Sequence, residues 1–328
     1  MKISIIDCDH GFTYPEEEII SKAGHDLKVY QTFSSEKIKE IVKGSDAIIC
    51  QYAKINREII EKMDRCKIIG RYGVGVDNID LQFADENGIK VVYDPYYCIN
   101  EVADHALSLI FCFYRNIIPI NGKIRKLSDI KQIDYTEMLK FMKNVENSIK
   151  LNIGIIGFGN IGKNVAKKLM NFGFNIFVYD PYIPREIIEE IGCKKTDLEF
   201  ILKNSDFITI HTPLTDETRK MISTKELNLM KKTSYIINTA RGGIIDEKAL
   251  LSALKEKRIA GAGLDVLENE PIDRNHPFIS MENVILTPHI AFFSQTSIIN
   301  LKKHIASYVV NALNGKGELV LANDLLQK

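Results

Sequence analysis

Three residue types able to move a proton and hold an anion recur at short intervals in the second half of the chain. Arg241 lies in Asn238-Thr239-Ala240-Arg241-Gly242-Gly243, Glu270 in the run Leu264–Pro271, and His289 in Thr287-Pro288-His289-Ile290-Ala291. Each follows a short apolar run read as a strand, and open α/β sheets hold their ligands at the carboxyl ends of strands. Histidine, with an ordinary pKa near ~6.5, suits removal of the hydroxyl proton of an alcohol near neutrality. A glutamate hydrogen-bonded to the second ring nitrogen fixes the tautomer and favours the imidazolium that forms. Arginine grips a carboxylate bidentately and polarises the neighbouring carbonyl. Singly, each has a plainer reading: a loop arginine paired with an acid, a turn glutamate before Pro271, one of seven histidines. Their joint placement at strand ends facing a dinucleotide turn favours the chemistry.

That turn is Gly157-Phe158-Gly159-Asn160-Ile161-Gly162. GxGxxG alone is weak, but here it follows the strand-like Ile153–Ile156, opens a helical stretch, and has Asp180 eighteen residues beyond Gly162. Gly157 permits the tight turn, Gly159 lets a pyrophosphate approach the backbone, and Gly162 lets helix and strand pack closely. The pyrophosphate then rests on the N–H groups of the helix N-terminus. Asp180 accepts from the adenosine ribose hydroxyls, and its charge disfavours a 2′-phosphate, so NAD is expected over NADP. Arg185 keeps NADP in view. An ordinary glycine turn is the plainer alternative.

The elements that position these residues fall into two series. Apolar, β-branched runs at 3–6, 27–30, 47–52, 67–69 and 89–93 read as strands, with helical stretches at 16–23, 36–43, 57–63 and 81–87 between them. Ser34 or Ser35 and Asn56 are candidate N-caps, and Gly24, Gly44 and Gly88 stand where helices end. A long helix is expected from Asn100, as N-cap, to about Arg115. The lysine-rich stretch 116–150 gives no clear period. A second series follows, with strands at 153–156, 175–179, 207–211, 235–238, 262–265 and 284–286. Its helices read from the glycine turn to about 172 and at 196–203, 223–230 and 247–257, and a last helix at about 296–314. Strands apolar on both faces, alternating with helices, indicate parallel sheets covered on both sides.

Composition excludes several classes. The 328 residues suggest two domains at roughly 150 each. Apolar residues make up 45% and charged residues 26%, as in a soluble globular protein. Lys plus Arg and Asp plus Glu both number 43, so no basic field exists to hold a nucleic acid. The longest largely apolar stretch, Leu107–Tyr114, is far short of the roughly 18 residues a membrane span needs, and the N-terminus is no secretory signal. Six scattered cysteines without a CxxC pair fit a reducing, cytoplasmic setting. Asp7-Cys8-Asp9-His10 is read as a strand-ending loop, and no required metal is expected.

The motifs Gly70–Asp80, Asn100–Ala106, Gly154–Gly162, His211–Pro213, Asn238–Asp246, Gly263–Pro271 and Thr287–Ser294, in this order and spacing, give the chain a likeness that covers nearly its whole length. It resembles the D-isomer-specific 2-hydroxyacid dehydrogenases, in the branch that includes phosphoglycerate dehydrogenase and the C-terminal-binding proteins. The resemblance implies a flavodoxin-like substrate domain, 1–99 plus 295–328, and an inserted NAD-binding Rossmann domain, 100–294, both doubly wound, with the active site in the cleft. It assigns His289 as acid/base, Glu270 as its orienting partner and Arg241 as substrate clamp. Val102, Gly157, Gly159, Asn160, Ile161, Gly162, Asp180, Thr212, Thr239, Ala240, Arg241, Asp265 and His289 are implied NAD contacts. Val74 and Gly75 would hold the substrate carboxylate through backbone N–H groups. The resemblance also implies a homodimer. Stretch 121–150 lacks the family's usual patterns, however, and the chain has no tryptophan, so the dimer contact is left open; no regulatory domain is expected after Lys328.

The pocket walls are expected at Tyr52, Arg71, Tyr72, Phe292 and Phe293. Arg71 suits a second carboxylate or a phosphate on the substrate, whereas the paired phenylalanines suit an apolar keto acid tail. The functional reading is therefore a small D-2-hydroxy acid of unspecified identity. A different class, an NADH-sensing interaction protein with little turnover, is the alternative, and the retained Arg, Glu and His weigh against it.

Overall fold

The computed structural model describes residues 1–125 and 145–327, with Thr136, Leu139 and Met142 between them. The chain forms two compact units, Met1–Cys98 with Phe293–Lys328, and Ile99–Phe292.

The first unit is built on a parallel five-stranded sheet of β1 (Lys2–Ile5), β2 (Asp26–Val29), β3 (Ala47–Cys50), β4 (Ile68–Arg71) and β5 (Lys90–Val92), in the order β2-β1-β3-β4-β5. The central β3 reads Ala-Ile-Ile-Cys and is buried at all four positions, as a strand covered on both faces requires. β2 differs from the expected apolar strand. It is the edge, begins one residue earlier and is largely exposed, because it has a neighbour on one side only. Helix starts are fixed by side-chain caps: Ser34 accepts from Lys37 N, Asn56 from Ile59 N and Asp80 from Phe83 N. Gly24 and Gly88 end their helices with φ of +73° and +68°, whereas Gly44, at −107°, caps without entering the left-handed region.

The helix Gln295–Asn314 belongs to this unit. Its Leu301, Ile305 and Val309 share a core with Ile3, Ile5, Ile49 and Ile68. Glycine at position 70 of β4 allows this approach, since a Cβ there would lie 2.9 Å from both Ile305 Cγ2 and Val309 Cγ2.

The second unit carries a parallel seven-stranded sheet: β6 (Asn152–Ile156), β7 (Asn175–Tyr179), β8 (Lys194–Lys195), β9 (Phe207–Ile210), β10 (Tyr235–Asn238), β11 (Gly261–Leu264) and β12 (Val284–Leu286). Their order is β12-β11-β10-β9-β6-β7-β8, so the winding reverses between β6 and β9. Ligands of open α/β sheets sit at such a reversal, outside the carboxyl ends of the strands. Apolar cores cover both faces, one around Ile155, Val165, Leu169 and Phe113, the other around Ile208, Ile236, Leu250 and Ala262.

Three details depart from the sequence reading. The helix Ile99–Tyr114 starts one residue before its expected cap, and Asn100 instead accepts from Asn164 Nδ2 at 2.9 Å. β8 and the helix Arg185–Glu190 were not anticipated, the strand because Lys194-Lys195 carries no apolar signal. Within the unplaced stretch 116–150, Ile117–Arg125 is helical and Ser148–Lys150 a 3-10 turn. The remainder of that stretch, where the dimer contact was left open, lies largely outside the described residues. No helix among the described residues is long and apolar enough to cross a membrane.

If the helix 295–314 is integral to the first unit, Ile305→Ala removes a fully buried side chain facing β4. Denaturant unfolding is expected to show a loss of about 2–5 kcal/mol. A change below about 1 kcal/mol would mean that the helix contributes little to that core.

Candidate active site

β6 delivers the chain into the glycine turn, and the geometry there accounts for each glycine. Gly157 has φ +91°, and a Cβ on it would lie 2.7 Å from the carbonyl of His211, so the turn and the loop after β9 touch backbone to backbone. A Cβ on Gly162 would collide with the Gly157 carbonyl. Gly159, by contrast, faces open space and is the N-cap of the helix Asn160–Met170, with no side chain capping it. The first N–H groups of that helix are thus presented to whatever lies above the turn, which is the arrangement an anion requires.

Asp180, at the end of β7, is nearly buried. Its Oδ2 accepts from Phe158 N at 2.7 Å, and its Oδ1 accepts from Tyr182 N at 2.9 Å and Ile183 N at 3.0 Å. The carboxylate therefore ties the glycine turn to the next loop while three of its roughly four acceptor positions are filled. Tyr182 and Glu217, not singled out from sequence, bridge the loops after β7 and β9 through a 2.7 Å hydrogen bond. These loops flank the glycine turn, because β6 lies between β7 and β9. The ring of His211 bonds Thr209 Oγ1 at 2.9 Å, and burial pushes its pKa down to about 3, so it is a neutral structural group beside Thr212. Thr239 Oγ1 is buried with no partner among the described residues. The open turn, the uncapped helix and this orphaned hydroxyl fit a bound dinucleotide.

Arg241, Glu270 and His289, the residues expected to handle a proton and an anion, stand on the next strand ends. Gly242 is pressed against the Leu267–Glu268 backbone so closely that a Cβ would overlap it, which brings the loops after β10 and β11 together. Arg241 Nη1 donates to Ala240 O at 2.8 Å, and its backbone carbonyl accepts from Asn238 Nδ2. His289 Nδ1 lies 2.6 Å from Glu270 Oε2, while Glu270 Oε1 accepts from Leu267 N at 2.9 Å. Burial pushes the Glu270 carboxyl up, but the hydrogen bond and charge of His289, the Leu267 N–H and the charge of Arg241 together outweigh it and hold the carboxyl below its usual range. The ionised partner accepts Nδ1–H, so Nε2 remains for the reacting atom.

His289 has φ +53°, a left-handed conformation that non-glycine residues rarely adopt. Its turn is held by buried Asp265. The Asp265 carbonyl accepts from His289 N at 2.7 Å; Oδ1 accepts from Thr287 Oγ1 and from Ile290 N at 3.0 Å, and Oδ2 from Ala291 N at 2.9 Å. His105 Nε2 adds a 2.9 Å contact to Thr287 Oγ1. Asp265 was singled out for NAD; its carboxylate is directed into the histidine turn. His105 and Thr287 were missed, although both lie in quoted motifs, because only folding brings positions 105, 265 and 287 together. Phe292 meets the His289 ring edge-on at 6.2 Å, and Val102 is buried in its helix.

In the first unit, the loop after β4 is braced from within. Arg71 Nη1 donates to Tyr72 O at 2.7 Å and its guanidinium covers Gly73, whose φ is +135°. Asn78 Nδ2 donates to Ala53 O at 2.9 Å. The N–H groups of Val74 and Gly75 have no acceptor among the described residues. Asp7 is buried and accepts from the N–H groups of Gln51, Tyr52 and Ala53, which sets the loop bearing the exposed Tyr52. Burial pushes the Asp7 carboxyl up.

Comparison with known proteins matches residues 107–291 to the family "D-isomer specific 2-hydroxyacid dehydrogenase, NAD binding domain". The chain is 40% identical over 274 residues to a D-3-phosphoglycerate dehydrogenase of Methanocaldococcus jannaschii, covering 83% of this chain and 50% of that protein. It is 36% identical over 283 residues to a glyoxylate reductase of Thermococcus litoralis, covering 86% and 83%. A D-lactate dehydrogenase of Aquifex aeolicus, solved with NAD and lactic acid, superposes with a TM-score of 0.85 at 30% identity, over 95% of this chain and 96% of that one. The chain spans about half the length of the phosphoglycerate dehydrogenases it matches.

The hydrogen bonds of Asp265 imply that Asp265→Ala frees the 287–291 turn without unfolding the sheet. Amide exchange at Ile290 and Ala291 is expected to rise at least about tenfold, with β10 and β11 unchanged. Unaltered protection at both amides would show that the turn holds itself.

Proposed function

The chain belongs to the D-isomer-specific 2-hydroxyacid dehydrogenase family, and on that premise we propose that it interconverts a small D-2-hydroxy acid and its 2-keto acid with NAD. The observation that carries this reading is the 2.6 Å pair of His289 Nδ1 and Glu270 Oε2, with the charge of Arg241 acting on the same carboxylate. NAD, when bound, would supply the hydride chemistry at the substrate carbon. The turn at Gly157, Gly159, Asn160, Ile161 and Gly162 would hold its pyrophosphate, the remaining acceptor position of Asp180 would take a ribose hydroxyl, and Thr212, Thr239 and Ala240 would contact it. Val102 and Asp265 would be further contacts of the bound cofactor.

In the direction of reduction, His289 as imidazolium gives its Nε2 proton to the carbonyl oxygen; in oxidation the neutral ring takes it back. Glu270 keeps the proton on Nδ1 throughout and stabilises the charged ring. Arg241 pairs with the substrate carboxylate and polarises the carbonyl. The unpaired N–H groups of Val74 and Gly75 are suited to a carboxylate oxygen. Arg71, engaged with its own loop, is better fitted to bracing it than to a second substrate anion, and Phe292 gives His289 an apolar neighbour. Both favour a small keto acid with a short uncharged tail. A homodimer is part of the proposal. The oriented His289–Glu270 pair speaks for turnover over NADH sensing alone.

A panel of 2-keto acids with NADH should identify at least one that is reduced, and NADPH should be the poorer donor; intact protein that reduces none contradicts the proposal. His289→Ala is expected to lower kcat by about 10²–10⁴ with NADH affinity nearly unchanged. Parallel loss of NADH binding would make the histidine structural.

Glu270 is held below the usual carboxyl range, so it is ionised throughout the assay range and favours the protonated ring. In Glu270→Gln that support is gone, and keto acid reduction should fall off at lower pH than in the wild type. An unmoved or alkaline-shifted limb would contradict the assigned role.

A further inference from the structure

The first unit buries a cation that the proposed reaction does not use. Lys302, on the helix 295–314, is fully buried. Its Nζ lies 2.8 Å from Glu16 Oε1 and 3.1 Å from Cys8 Sγ, and 5.0 Å from the ring centres of both Phe12 and Tyr72. Glu16 is also fully buried, and Tyr72 Oη donates to its Oε1. Glu16 Oε2 has no partner among the described residues. Cys8 is partly exposed, and His10 Nδ1 stands 3.7 Å from its sulfur. Burial, then the charge of Lys302, pushes His10 down to about 4, leaving a neutral imidazole beside the thiol.

A buried ion pair alone is poor evidence of stabilisation, because desolvation offsets the attraction. Here, moreover, the ammonium makes one of its close contacts to a sulfur, a weak acceptor as a thiol. What the arrangement does supply is an amine and a thiol held almost within bonding reach, a carboxylate with a vacant oxygen to take a proton from the amine, and a partly exposed residue carrying the sulfur.

We propose that Cys8 and Lys302 form a reversible covalent N–O–S bridge with dioxygen as the oxidant. Lys302 first passes a proton to Glu16. The thiol, the neutral amine and dioxygen then give Cys8 Sγ–O–Nζ(H) Lys302 and one water. One oxygen atom enters the bridge, and the other leaves with one hydrogen from the thiol and one from the amine. Sulfur and nitrogen are each oxidised by two electrons, and the two oxygen atoms take up all four. The S–H and one N–H bond break, and one S–O and one O–N bond form. The bridge joins the loop after β1 to a helix 294 residues further along the chain.

The test is intact and peptide mass spectrometry of the folded protein after incubation in air-saturated buffer, against an anaerobic sample. The expected product gains about 14 Da, one oxygen less two hydrogens, and is reversed by dithiothreitol. Its digest contains the Cys8 and Lys302 peptides joined, with trypsin unable to cut after Lys302. Lys302→Arg, which keeps the cation, and Cys8→Ser should both lack the 14 Da species. Wild-type protein that stays unmodified, or that gains about 16 or 32 Da on Cys8 with Lys302 still cleavable, overturns the proposal. The wild-type measurement decides even if neither variant folds, and it needs no substrate, so its outcome is independent of the proposed reaction.

Discussion

The chemistry proposed for the second unit depends on one buried carboxylate that does no chemistry itself. Asp265, at the end of β11, accepts from the Thr287 hydroxyl and from two successive amides, and its carbonyl takes the His289 N–H. A left-handed histidine is a costly conformation, sustained only where its surroundings over-determine it. Asp265 provides that surrounding, and the outcome is a ring whose Nδ1 meets Glu270. Without the turn, His289 and Glu270 would be two solvated side chains nineteen positions apart, and a pair of that kind is worth little.

Glycines perform the corresponding task for the cofactor. Gly157 lets two loops touch backbone to backbone, and Gly242 does the same between the loops that carry Arg241 and Glu270. Strand order then distributes the work. The winding reverses between β6 and β9, where the dinucleotide turn lies, whereas Arg241, Glu270 and His289 follow β10, β11 and β12 on one side of it. The proposed cofactor turn and the residues proposed for proton transfer thus occupy neighbouring strand ends of a single sheet.

Much of this was legible in the sequence. The alternation of apolar runs with capped helices gave both parallel sheets, and motif spacing singled out the residues that the fold brings together as the Glu270–His289 pair. What escaped shares a physical cause. β8 has no apolar periodicity, because Lys194 and Lys195 form a two-residue edge. Asn100 looks like a helix cap by residue type, yet the helix begins before it, and its side chain bonds Asn164 from another element. The inward aim of Asp265, the support from His105, and the Lys302–Glu16–Cys8 cluster rest on contacts between distant positions. No local pattern encodes these.

The central claim is that His289 and Glu270 move a proton while hydride passes between nicotinamide and the substrate carbon. Its most direct test is to supply NADH deuterated at both C4 positions with the 2-keto acid that the protein reduces fastest, and to determine the position and configuration of the label. The account predicts deuterium on C2 of a D-2-hydroxy acid, with the hydroxyl proton drawn from solvent. An unlabelled product, or a label on the L enantiomer, would contradict it.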